Sequence, residues 1–184
     1  MRKSIIVTAL TASIIFSGSA NAEDHNGAGK AQPKLVVAIS VDQFSANLFS
    51  EYRSSFTGGL KRLSNGVVFP SGYQSHAATE TCPGHSTIMT GVHSGRAGII
   101  ANNWIDLSIE RDDKTVYCAE DERIDGTSFG DITAATQGDY VASVWHLLVP
   151  TLGDRLKKIS PGSRNVAVAG KDRAALMMGG HDVD

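Results

Sequence analysis

The sequence predicts an α/β fold with a mostly parallel central sheet and flanking helices. Two observations carry that expectation. Three short, apolar, β-branched runs at 34–41, 67–69 and 165–169 read as strands, the first of them buried on both faces. Between them lie longer stretches with apolar residues at helical intervals, and strand alternating with helix is the α/β pattern.

The elements follow in order along a chain of 184 residues. Arg2 and Lys3 precede an apolar stretch over 5–16, and small residues from Ser17 to Ala22 close it. Charge, short apolar core and an A-x-A end make a secretory signal peptide over 1–22. A membrane anchor is the alternative, but a span takes roughly 20 apolar residues. Residues 23–33 are polar and read as a flexible leader. The folded part is then 34–184, about 150 residues, enough for the core of one domain. Export places the protein in the periplasm or outside the cell, with no membrane anchor once the signal is cleaved. The net charge is -2. No basic stripe is present, which removes the electrostatic basis for nucleic-acid binding.

The run 34–41 stops at Asp42, where an open α/β sheet places its ligands. Phe44, Leu48, Phe49, Tyr52, Phe56, Leu60 and Leu63 recur at helical spacing, which predicts two helices broken at Gly58-Gly59. The run 67–69 closes at Pro70. Pro83 suits the first turn of a helix that runs to Gly91. The polar stretch 96–131 predicts loops and small strands. Trp145, Leu148, Leu152, Leu156 and Ile159 predict an amphipathic helical region over 142–159, which Pro150 either breaks or starts. The run 165–169 ends at Gly170. No closing element follows before Asp184, and the expected sheet is incomplete in this chain.

The two cysteines, Cys82 and Cys118, are expected to bridge in an oxidising compartment. Two buried thiols are the alternative. A bridge would steady the loop that carries Thr81.

Four features point to chemistry, and each has a plain structural alternative. Asp42 is a carboxylate after a buried strand, costly there unless paired or metal-bound, or else a helix N-cap. Thr81 puts a hydroxyl at an expected helix N-terminus, where free N–H groups and the dipole favour an anion; an N-cap is the alternative, and Thr79 is the one rival nucleophile nearby. Asn102 carries an amide able to donate to a phosphate oxygen, or belongs to an ordinary turn. Lys171 and Arg173 follow the third run, and could be surface charge.

Val41-Asp42-Gln43-Phe44, Glu80-Thr81-Cys82-Pro83-Gly84-His85-Ser86-Thr87, Thr90-Gly91 and Gly98-Ile99-Ile100-Ala101-Asn102-Asn103 stand in a familiar order. In that order and spacing the chain, from about Lys34 to its end, resembles the phosphodiesterase and nucleotide pyrophosphatase branch of the alkaline phosphatase superfamily. Within that branch it is most similar to the PhoK-type bacterial alkaline phosphatases, of which it would be the N-terminal part. The resemblance implies an alkaline-phosphatase-like fold and two zinc ions. It implies that Asp42 ligates one zinc and that Thr81 binds the same ion. Thr81 would attack phosphorus in line to form a phosphothreonine, which water then hydrolyses. Asn102, Lys171 and Arg173 would contact the phosphate oxygens.

The implied substrates are small phosphate esters. Two cations at Lys171 and Arg173 favour the more highly charged monoester over a diester. A diesterase or nucleotide pyrophosphatase is the alternative, and an inactive truncated product is another. The formylglycine motif of sulfatases is absent. The family's further ligands sit in D-x-x-x-H and D-H motifs, neither of which occurs here. His76, His85, His93 and His146 have no partner carboxylate at ligand spacing, and His181-Asp182 has the reverse order. Weak zinc binding and little activity are therefore expected of this chain alone.

Overall fold

The computed structural model describes residues 33–125 and 141–184. The expected signal peptide and all of the leader except Pro33 lie outside them. Contacts divide the chain into two units, one ending at Ile39 and the other beginning at Ser40. In the first, residues 33–39 form no helix or strand, and Leu35, Val36, Val37 and Ile39 are exposed.

The second unit opens with α1 (Ala46–Tyr52), started by Ser45, whose hydroxyl accepts the Leu48 N–H at 3.2 Å. A 3₁₀ turn (Arg53–Ser55) follows, then extended Phe56 and Thr57, then α2 (Gly58–Ser64). The break expected at the two glycines falls instead at Phe56-Thr57, and the glycines begin α2. Gly58 has φ +53, and this left-handed step, cheap only for glycine, sends the chain into the new helix. Phe44, Phe49 and Phe56 meet with ring centroids 5.7–6.3 Å apart and hold the segments on either side of α1 against it.

Next comes α3 (Thr81–Thr90), with Pro83 in its first turn and left-handed Gly91 at its end. The short turn α4 (Ser94–Ala97) ends at Gly98, with φ +86. A side chain at Gly98 would collide with the His146 carbonyl oxygen. Strands β1 (Asn103–Ile105) and β2 (Thr115–Tyr117) pair antiparallel, with Trp104 opposite Val116. A helical turn, α5 (Glu122–Asp125), ends the first described stretch.

The helix expected over 142–159 occupies only its second half, as α6 (Leu152–Ile159). Pro150 starts it rather than breaking it. Thr151 and Asp154 form a reciprocal capping box there. Before Pro150 the chain is irregular, because Val144 and Leu147 turn into the core separately from the α6 face. The last helix is α7 (Asp172–Gly179).

Among the described residues the one sheet is the antiparallel pair β1-β2. The runs 34–41, 67–69 and 165–169, read as parallel strands, form no strand ladder among the described residues. Strand hydrogen bonds need a neighbouring strand, and runs this apolar need cover on both faces. The run 165–169 has cover on one face, where Ala167 lies against Gly179 of α7. Its other face leaves Val166 and Val168 exposed, as are Val67 and Phe69.

The core lies under the start of α3. Cys82, Ala97, Ile99, Tyr117, Cys118, Ala119, Leu147 and Met177 form one buried cluster, and α3 packs chiefly on α7. Glu120 is fully buried beside it. Its carboxylate takes the Arg111 guanidinium at 2.5 Å and the Tyr117 N–H at 3.1 Å. Burial of a carboxylate is tolerable only with such partners.

Candidate active site

Thr81 is the first residue of α3, and Glu80 is its N-cap. The capping alternative for Thr81 therefore does not apply, and its hydroxyl is free to point elsewhere. It donates to Asp42 Oδ2 at 3.4 Å. Asp42 is likewise not a cap, since Ser45 starts α1. Asp42 sits in a turn beside Gln43, whose φ of +59 is unusual for a residue with a side chain. That turn brings the carboxylate to α3.

Lys171, the N-cap of α7, reaches the same carboxylate, with Nζ 2.7 Å from Oδ2. The N-termini of α3 and α7 thus meet at Asp42, and both helix dipoles favour negative charge there. The Lys171 ammonium holds the Asp42 carboxyl below the usual carboxylate range, with smaller help from His85 and Thr81 against partial burial.

His85 is a site residue that the sequence reading missed. It lies one turn after Thr81 and is buried. Its Nδ1 stands 2.7 Å from the Thr81 carbonyl oxygen, so Nδ1 carries a proton. Its Nε2 stands 3.6 Å from Asp42 Oδ1. The i, i+4 spacing from Thr81 was the available signal, since it puts both residues on one helical face.

Asn102 is fixed three ways. Its Oδ1 accepts the Cys82 N–H at 2.9 Å. Its backbone N–H donates to Glu80 Oε2 at 2.6 Å, and its carbonyl accepts the Cys118 N–H at 2.9 Å. Because a backbone donor faces the amide oxygen, the amide orientation is decided and Nδ2 is left as the donor. Cys82 and Cys118 form a disulfide, fully buried, that joins α3 to the end of β2. Glu80 escaped the sequence reading because its carboxylate serves Asn102, twenty-two residues on.

Arg173 does not join the Asp42 group. Its Nη1 donates to the Tyr117 hydroxyl at 3.2 Å, and that hydroxyl donates to Asp172 at 2.9–3.0 Å. Burial first, with Asp172 adding and Arg173 opposing, pushes the Tyr117 phenol up to about 12.

Among the described residues no group of three or more His, Cys, Asp or Glu side chains could hold a metal ion. Asp42 and Thr81 supply two oxygen donors, whereas zinc ordinarily takes three or four protein ligands. The residues present do not make a complete zinc site. The arrangement offers a hydroxyl at a helix N-terminus, a carboxylate against it, a lysine and an oriented amide donor. That set suits an anionic, phosphate-like group.

The chain is similar to several known proteins. Over 153 residues the chain is 65% identical to alkaline phosphatase PhoK of a Sphingomonas species, covering 83% of this chain and 26% of that protein. It is 60% identical over 151 residues to alkaline phosphatase PhoD of Zymomonas mobilis, covering 82% of this chain and 25% of that protein. It is 33% identical over 183 residues to alkaline phosphatase PhoV of Synechococcus elongatus, covering 94% and 32%. The chain thus spans about a quarter of the length of the first two relatives. The sequence model of type I phosphodiesterase / nucleotide pyrophosphatase matches residues 36–183. This chain belongs to the type I phosphodiesterase / nucleotide pyrophosphatase family.

Proposed function

We propose that the chain carries the nucleophile side of an alkaline phosphatase, which hydrolyses small phosphate monoesters through a phosphothreonine. The observation that carries this reading is Thr81 at the first turn of α3 with its hydroxyl on Asp42. The Thr81 oxygen attacks phosphorus, the ester oxygen leaves, and water then hydrolyses the phosphothreonine. Asn102 Nδ2, Lys171 and Arg173 are assigned to the phosphate oxygens. Zinc, as in the superfamily, would lower the pKa of the threonine hydroxyl. Asp42 and Thr81 would be two of its ligands, and the others would have to come from parts of a longer protein. The same longer protein would complete a mostly parallel sheet on the runs 34–41, 67–69 and 165–169. The signal-peptide pattern over 1–22 supports a periplasmic or secreted location. No helix among the described residues is long and apolar enough to cross a membrane.

A fusion of this chain to the C-terminal part of the Sphingomonas relative tests the reading with p-nitrophenyl phosphate. We expect turnover from the fusion, weak zinc binding and little turnover from the chain alone, and loss of turnover in a Thr81→Ala fusion. Undiminished turnover in that variant would remove Thr81 as nucleophile. Full activity from the chain alone would overturn the incomplete-site reading.

The family's name favours a second reading, diester hydrolysis. Lys171→Ala in the fusion distinguishes the two. A larger loss on p-nitrophenyl phosphate than on its bis ester supports monoesters, and equal loss supports diesters.

A further inference from the structure

Lys171-Asp172-Arg173 places a carboxylate between two cations that the proposed function assigns to phosphate oxygens. Left unengaged, that carboxylate would compete with the phosphate for both. Tyr117 lies at the end of β2 with its hydroxyl on Asp172, at 3.0 Å from Oδ1 and 2.9 Å from Oδ2. The same hydroxyl oxygen accepts Arg173 Nη1–H at 3.2 Å. Tyr117 is 1% exposed, so its ring is held by the core and its hydroxyl is a fixed point.

We infer that Tyr117 is a positioning residue for Arg173: it occupies Asp172 and holds the guanidinium by one nitrogen. Anchoring Nη1 leaves the Nε–Nη2 edge, the side of a guanidinium that takes an oxyanion bidentately. Arg173 Nε is buried without a hydrogen-bond partner among the described residues. A buried donor left unmet calls for an acceptor, and a phosphate oxygen is one of the right chemistry. The disulfide neighbour Cys118 ties Tyr117 to the start of α3, so one buried segment sets both the Thr81 helix and the Arg173 anchor.

This inference rests on the assignment of Arg173 to phosphate, and two readouts separate the claims. In the 184-residue chain, the Arg173 Nε–Hε signal is followed by nitrogen-15 NMR, first for solvent exchange and then during titration with inorganic phosphate. Tyr117→Phe should speed Hε exchange and weaken phosphate binding, each about three- to tenfold, the scale of one hydrogen bond. Unchanged exchange in Tyr117→Phe overturns the positioning role. If phosphate leaves the wild-type Arg173 signal unmoved, the phosphate assignment fails, and exchange alone decides the positioning role. Asp172→Asn, which keeps the tyrosine hydroxyl, should leave exchange slow and tighten phosphate binding. Exchange as fast as in Tyr117→Phe would move the hold from Tyr117 to Asp172 and overturn the inference.

Discussion

Two regions of this chain meet opposite fates, and the more apolar of them is the one left exposed. Around the start of α3, residues 82–86 are buried, a disulfide crosses to β2, and Glu120 is sealed with its arginine. In the runs 67–69 and 165–169, Phe69 is 83% exposed and Val168 is 91% exposed. The first region closes with partners that the chain itself supplies. The second needs strands on either side, and none pairs with it among the described residues. The candidate site is therefore held by contacts among the described residues, while these runs lack strand partners there.

The sharpest way to break this contrast is at Glu120. Glu120→Ala removes the buried carboxylate of the Arg111 ion pair and should cost about 3–5 kcal/mol, measured by denaturant unfolding. A cost near zero would mean that the corner is not a closed core. Opening the disulfide comes next. The Cys82–Cys118 bond spans 36 residues, and its replacement by two serines should cost roughly 2–4 kcal/mol in the same assay.

A smaller effect should appear at high pH. The Tyr117 phenol is raised from about 10 to about 12. The folded state therefore holds that proton more tightly than the unfolded chain does. Its contribution to stability is complete below the unfolded value and is lost as pH rises through the folded one. Unfolding followed between those two values should show this decline, and Tyr117→Phe should remove it. The smallest effect is expected at Val168→Ser, within about 0.5 kcal/mol. A loss several times larger would mean that the run 165–169 is already covered on both faces.

What was legible in the sequence follows the same division. Pro83, Gly91 and the Thr81 motif are local signals, and α3 forms where they place it. Thr151 and Asp154 cap α6 within four residues, a local signal that the 142–159 reading passed over. The chemistry that crosses the fold was not legible. Asp42 meets Lys171 across 129 residues, and Tyr117 meets Asp172 across 55. Nothing in the spacing of either pair reports those meetings. The runs read as parallel strands form no strand among the described residues, because pairing depends on neighbours that a local pattern does not name. His85 stood between the two cases: its face was legible from Thr81, while its carboxylate came from a distant turn.

Asn102 has a consequence for how this segment tolerates change. Its backbone and side chain are pinned to Glu80, Cys82 and Cys118, none of which belongs to the turn joining β1 to β2. That turn, residues 106–114, leaves a junction already fastened at its base; its Arg111 turns back onto Glu120, while Leu107 and Ser108 are exposed. Residues inserted at its tip would lengthen the hairpin without shifting the amide. A tag or an extra binding loop grafted there is the insertion this site should best survive.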